Sequence, residues 1–292
     1  MVEVIRVEAL DDPHIAIFRH IPDPVRLREL GAFVAEGRFA VRKLIADPRF
    51  RVQALLVTPA ALESLKDADG LAEDAPPVYV ASRTLIKEIG GYDFHQGCLG
   101  LADRPQPERL TALLDRLDRR RPIVILEQVS NPDNVGGIFR NAAAFGAAAV
   151  LLSPGCCDPL YRKAIRTSIG TSLQVPFAGV DDWPGGLAAI RRRDYDLVAL
   201  TPKVDATCLE RYVFFEDGRS VALMLGNEGD GLSFDALEAA DGSVRISLGP
   251  TVDSLNVATT TAIVLHHIRS LSEACAQPDG ESSSPDGRSP SR

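Results

Sequence analysis

Unbroken apolar runs of four or five residues recur along this chain: Ala32-Phe-Val-Ala35, Ala54-Leu-Leu-Val57, Ile123-Val-Ile-Leu126, Ala149-Val-Leu-Leu152 and Val221-Ala-Leu-Met-Leu225. Between them, apolar side chains return every three or four places. A short run without alternation suits a strand covered on both faces, and the longer period suits a helix with one buried stripe. The pattern predicts strands near 32–35, 52–58, 77–80, 122–127, 149–152, 196–201, 221–225 and 244–248. Helices are predicted near 39–44, from Pro59 onward, and over 82–89, 105–121, 137–145, 160–169, 185–192, 235–240 and 254–272. Strand and helix alternate, so the fold class is α/β with a parallel sheet. Gly146 is placed to close the 137–145 helix. The last helix is rich in valine, isoleucine and threonine, so packing rather than propensity must hold it.

The same pattern divides the chain. Residues 1–98 read as a small α/β domain, 99–121 as a linker with a first helix, and 122–272 as a second α/β domain. From 273 to 292 serine, proline, glycine, aspartate and arginine dominate, the composition of a disordered tail. His95, in Phe94-His-Gln-Gly-Cys98, is read as a linker residue rather than a catalytic one.

Composition narrows the class. Apolar residues make up 45% and charged residues 25%, ordinary for a globular protein, and no apolar run approaches the roughly 18 residues of a membrane span. Five cysteines without metal-ligand spacing and the absence of a leader pattern point to a reducing cytoplasm, with vicinal Cys156-Cys157 incidental. The formal net charge of -8 argues against a general nucleic-acid binder, although local fields govern binding. Basic clusters stand at Arg119-Arg120-Arg121, Arg162-Lys163-Arg166 and Arg191-Arg192-Arg193; only the middle one sits among other distinctive residues.

Three polar segments follow predicted strands of the second domain: Asn131–Arg140, Gly226–Gly231 and Gly249–Asn256. Loops at the carboxyl ends of parallel strands are the preferred ligand sites of such sheets. The chain has neither a dinucleotide glycine fingerprint nor a Gly-Lys-Ser/Thr phosphate loop. A Gly-x-Ser-x-Gly elbow and clustered zinc ligands are missing too.

Asn131-Pro-Asp-Asn-Val-Gly-Gly-Ile-Phe-Arg-Asn-Ala-Ala-Ala-Phe-Gly146, Leu225-Gly-Asn-Glu-Gly-Asp-Gly-Leu232 and Ile246-Ser-Leu-Gly-Pro-Thr-Val-Asp-Ser-Leu-Asn-Val257 resemble, in order, the three motifs of the SpoU/TrmH family. These are the knotted RNA ribose 2'-O-methyltransferases of the SPOUT superfamily. Lys163-Ala-Ile-Arg-Thr-Ser-Ile-Gly170 resembles a family segment between the first two motifs. The likeness spans about residues 122–268, and residues 28–98 more faintly resemble the ribosomal-protein-like substrate-binding domain that often precedes it. The resemblance implies a deep C-terminal trefoil knot, S-adenosylmethionine bent within it, a homodimer with sites near the subunit interface, and RNA as substrate. Leu225, Gly226, Gly231, Ile246, Leu248 and Leu255 match cofactor positions, while Arg140, Asn134, Glu228 and Asn256 match the catalytic set. Arg166 and Ser168 are candidate RNA contacts. The family role of Arg140 is base or proton handler; because guanidinium stays protonated, a phosphate clamp is the alternative.

Ser247 stands where the family usually has proline, Thr259-Thr260-Thr261 where it has small apolar residues, and His267 where an acid is common. None removes a presumed catalytic residue. The expected activity is ribose 2'-O-methylation, of ribosomal RNA ahead of transfer RNA. An inactive RNA-binding relative and a small-molecule α/β enzyme are the competing readings.

Overall fold

A computed structural model describes residues 3–66, 76–90, 97–215 and 218–276. His95 and the tail from 277 lie outside the described residues.

The first lobe contains β1 (Val4–Arg6), a 3-10 turn at Pro13–His20, α1 (Pro24–Glu29), β2 (Ala32–Glu36), α2 (Arg38–Ala46), β3 (Val52–Val57), α3 (Pro59–Lys66), β4 (Val78–Val80), α4 (Arg83–Gly90) and β5 (Cys98–Asp103). Its sheet runs β1-β4-β3-β5-β2, parallel among the first three strands and antiparallel where β5 meets β3 and β2. Strand β5 occupies a stretch the sequence reading gave to the linker. Cys98-Leu-Gly-Leu-Ala-Asp103 carries a central glycine, which reads poorly as strand. Here a Cβ at Gly100 would stand 3.0 Å from Leu44 Cδ2, so the glycine lets α2 close over the sheet.

The second lobe follows with α5 (Leu110–Arg116), β6 (Ile123–Leu126), α6 (Pro132–Phe145), β7 (Ala149–Leu152), α7 (Arg162–Thr167), β8 (Phe177–Gly179), α8 (Leu187–Arg191), β9 (Tyr195–Leu200), β10 (Thr207–Cys208), β11 (Ser220–Leu225), α9 (Phe234–Glu238), β12 (Gly242–Arg245) and α10 (Val257–Ala276). All seven strands are parallel, in the order β10-β12-β9-β11-β6-β7-β8. The most apolar runs, β11 and β6, lie at the middle and are wholly buried, as their unbroken patterning requires.

Several boundaries move from their predicted places. Helix α6 begins at Pro132 rather than Gly137, because Asn131 caps it by accepting from the Asp133 amide at 2.9 Å and proline suits the first turn. Strand β12 stops at Arg245, so Ile246, Ser247 and Leu248 belong to the loop. Helix α10 starts after Asn256, whose Oδ1 accepts from the Ala258 and Thr259 amides at 2.9 and 3.2 Å. Asn256 is therefore the cap, and the helix runs to Ala276, beyond the predicted Ser272. Val264, Leu265 and Ile268 bury its inner face in the core that holds Val135, Ile138 and Ala142 of α6. Asn141 also donates to the Ala258 carbonyl at 2.7 Å. That packing overrides the weak helix propensity.

The lobes share a core. Leu160, Ile165 and Leu173 of the second lobe lie in one buried cluster with Phe33, Val41, Leu44 and Leu55 of the first. Around this seam Glu36, only 4% exposed, holds Arg162 and Arg166, while Asp158 holds Arg28 and Arg104, both at 2.7 Å. Burial works to raise Asp158, but the bonds from Arg104 and Arg28 outweigh it and hold the carboxyl below its usual range.

Candidate active site

The three polar segments gather at the carboxyl ends of β6, β11 and β12. Two links from Glu127, at the end of the strand that leads into the first segment, reach the residues on either side of the second. The Glu127 amide donates to the Leu225 carbonyl at 2.8 Å, continuing the β6–β11 pairing beyond the strands. The Glu127 carboxylate, 2% exposed, then accepts from Trp183 Nε1 at 2.6 Å and from the Ser233 amide at 2.8 Å. Ser233 caps α9 through its own hydroxyl, so this one carboxylate anchors the far end of the 226–232 loop. A buried carboxylate is costly unless its oxygens are satisfied, and both are. Sequence reasoning passed over Glu127. Its only signal was an acid at the end of an otherwise apolar strand.

The loop itself is tightly built. Asn227 Oδ1 accepts from the Gly229 and Asp230 amides at 2.8 and 2.9 Å, and the Gly231 amide donates to the Asn227 carbonyl at 3.1 Å. Gly231 sits at φ +72°, where a side chain is strained. A Cβ at Gly226 would overlap the Gly231 carbonyl group and the Leu232 nitrogen. The loop's own backbone fills the space that a side chain at Gly226 would need.

The first segment meets the third through Asn134 and Asn256. Asn134 is 7% exposed in the first turn of α6, and its Oδ1 accepts from Asn256 Nδ2 at 2.8 Å. Asn256 thus caps α10 with its oxygen and grips Asn134 with its nitrogen. Gly136 and Gly137 let the neighbouring helices approach, since side chains there would overlap Thr167 of α7 and crowd Ala258 of α10. Leu225 is buried, Ile246 and Leu248 are half-buried, and Leu255 is 36% exposed. Together they leave an apolar margin beside the polar loops.

Of the four presumed catalytic residues, one pair is in contact. Asn134 and Asn256 touch. Arg140 is exposed, more than two helical turns into α6, and six residues place it about two-thirds of a turn around from Asn134. Glu228 is exposed at the tip of its loop. Neither Arg140 nor Glu228 has a side-chain partner among the described residues.

Ser168 is corrected as an RNA contact. It is fully buried, and its hydroxyl donates to the Ile165 carbonyl at 2.9 Å and meets Ser172 Oγ at 3.2 Å. Arg166 keeps part of its guanidinium at the surface while paired with Glu36 at 3.5 Å. The two outer basic clusters are largely neutralised, Arg119 by Asp194, Arg120 by Asp118, Arg191 by Asp241 and Arg193 by Asp115. Burial pushes the Cys157 thiol up to about 12, with Asp158 adding to the shift, so it is no reactive thiolate.

No group of three metal-ligating side chains occurs among the described residues, and no helix there is long and apolar enough to cross a membrane. A cavity of about 350 Å³ opens elsewhere, at the lobe junction beside Val25, Phe33, Leu160 and Asp158.

Residues 121–266 match the model of the SpoU rRNA Methylase family. An uncharacterized tRNA/rRNA methyltransferase of Mycobacterium tuberculosis is 36% identical over 88% of this chain and 88% of its own length. The 23S rRNA (guanosine(2553)-2'-O)-methyltransferase RlmP of Bacillus subtilis is 25% identical over 90% of this chain and 99% of its own. Among solved structures, the AdoMet-bound rRNA methyltransferase of Sinorhizobium meliloti superposes with a TM-score of 0.75 at 23% identity, covering 92% of this chain and 98% of that one.

Proposed function

The chain belongs to the SpoU rRNA methylase family, and from that premise we propose that it methylates a ribose 2'-hydroxyl in ribosomal RNA. It is an RNA methyltransferase that uses S-adenosylmethionine. The observation that carries the reading is the meeting of the three motif segments at one end of the parallel sheet, the first joined to the third by Asn134–Asn256 and the residues flanking the first and second tied by Glu127–Ser233.

The residues present suit the cofactor. Exposed backbone at 228–230 offers carbonyl acceptors for an adenine edge, and Ile246, Leu248 and Leu255 offer apolar walls beside it. When bound, S-adenosylmethionine supplies a methyl group on a sulfonium, already a good electrophile. What remains for the protein is alignment of the hydroxyl and help with its proton. The Asn134–Asn256 pair fixes the start of α6 relative to α10, a rigid base for that alignment. Arg140 projects a free guanidinium from the same helix, suited to holding a neighbouring phosphate and stabilising charge on the attacking oxygen. The 2'-hydroxyl is the nucleophile, so discrimination of RNA from DNA is built into the reaction.

In this reading the second lobe carries a deep trefoil knot, the first lobe binds RNA, and the protein works as a cytoplasmic homodimer. The exposed positions of Arg140 and Glu228 support a site completed by RNA and a second copy. Phe234 and Val252, 76% and 51% exposed, and Ile263 of α10 supply apolar surface for such an interface. The test is methyl transfer from labelled S-adenosylmethionine to separated ribosomal and transfer RNA, with mapping of the modified nucleotide. Label entering transfer RNA alone overturns the ribosomal assignment.

A further inference from the structure

The seam between the lobes is rich in cations, and nearly all of them are spoken for. Arg162 and Arg166 share Glu36, Lys163 meets Asp133 at 2.7 Å, and Arg42 bonds the Ser64 carbonyl. Lys43 and Arg140 are treated differently. Lys43 extends from α2 across the turn that follows α7: a Cβ at Gly170 would lie 2.8 Å from Ala40 Cα and 3.2 Å from Lys43 Cδ. Gly170, at φ +75° and without a side chain, lets the lysine stem lie against the second lobe. Arg140 stands one turn along α6 from Gly136, the position packed on Thr167, and so lies on the helix face that leads toward the Gly170 turn. Burial first, and then the Arg140 charge, push the Lys43 ammonium below its usual range, so the two cations feel each other. Neither has a carboxylate partner among the described residues.

Two like charges brought together from separate lobes repel, and no carboxylate among the described residues quenches them. An arriving anion removes that penalty. A phosphodiester has two free oxygens and one charge. The planar fork of arginine suits one oxygen, and a lysine ammonium, as a point charge on a flexible stem, suits the other. We propose that Lys43 and Arg140 share one phosphodiester of the bound RNA, so that the first lobe reaches the same backbone linkage as the methyl-transfer lobe. Lys43 is then a positioning residue for the reaction, holding the RNA that Arg140 also touches. The inference rests on the RNA methyltransferase reading.

The test uses the full chain, a short fluorescein-labelled single-stranded RNA of mixed sequence, and anisotropy over a range of salt concentrations. Lys43→Gln is expected to weaken binding roughly tenfold at low salt and to flatten the logarithmic salt slope by about 0.7. Lys43→Arg keeps the charge and restores most of both. Because one phosphate is shared, Lys43→Gln combined with Arg140→Gln loses no more than about twice what the worse single variant loses, well short of the product expected for independent sites. Calorimetric S-adenosylmethionine affinity and the melting curve of Lys43→Gln stay those of the wild type, which separates the effect from misfolding.

Wild-type affinity and slope in Lys43→Gln overturn the inference. So do multiplicative losses in the double variant, which place the two cations on separate phosphates. In either case methyl transfer by the wild-type chain leaves the functional reading standing. A wild-type chain that binds neither RNA nor S-adenosylmethionine overturns both.

Discussion

Replacing Gly226 by alanine tests whether the 226–232 loop is shaped by its own backbone. The added Cβ falls inside 3.0 Å of the Gly231 carbonyl group and the Leu232 nitrogen, neither of which can rotate away as a side chain does. Overpacking of this kind costs about 1–3 kcal/mol. Relief requires opening the loop, which breaks the 3.1 Å Gly231–Asn227 backbone bond. That adds about 1 kcal/mol, for a total of about 2–4 kcal/mol. The energy appears once. If the loop stays closed, the strain appears as lost folding stability. If it opens, the strain returns when the cofactor needs the closed form, and S-adenosylmethionine Kd rises by about thirtyfold or more. Urea unfolding and calorimetry on the same Gly226→Ala sample measure both parts. Gly229→Ala is the control, since a Cβ there meets only Asn227 Oδ1 at 3.3 Å. A combined loss below about 1 kcal/mol for Gly226→Ala refutes the reasoning.

Arg140→Ala lowers single-turnover methyl transfer by at least about a hundredfold with cofactor affinity unchanged, and Arg140→Lys recovers little because an ammonium lacks the planar fork; a near-normal rate in Arg140→Ala refutes its placement at the reaction. Glu127→Gln turns an amide N–H₂ toward either the Ser233 amide or the Trp183 indole, a donor facing a donor, costing about 1–3 kcal/mol. Isothermal calorimetry should show weaker S-adenosylmethionine binding, and unchanged affinity removes Glu127 as the anchor of that loop. Arg104 and Arg28 hold the Asp158 carboxyl below the ordinary aspartate range, so its contribution to the lobe seam is present at and above that range and lost as pH falls through the lower folded value. Asp158→Asn should therefore be less stable than wild type at neutral pH, with the gap narrowing below about pH 4 in acid-unfolding curves; a gap that persists in acid contradicts the assignment.

The sequence alone determined five of the seven strands of the second lobe, because runs such as Ile123–Leu126 and Val221–Leu225 suit a sheet covered on both faces. It missed β8 and β10, strands of three and two residues at the sheet edges that carry no such run. It also determined the three motif segments and their order, since glycine, asparagine and proline at fixed offsets are local signals. It was silent or misleading wherever a residue's role depends on what the fold brings beside it. Gly100 hides a strand because its small size serves α2, 54 residues away. Ser168 looks like a surface hydroxyl in a basic segment and is instead sealed in the core. Glu127 gains its role only when Trp183 and Ser233, distant in the chain, arrive at its two oxygens. Asn256 reads as a match to the catalytic set, and the folded chain adds that it caps α10 and holds Asn134. The seam that sets Lys43 beside Arg140 has no sequence signature at all. Period and local turn chemistry are written within a few residues, whereas burial, pairing and charge proximity depend on contacts between residues far apart in the chain, and those exist only once both lobes have closed on their shared core.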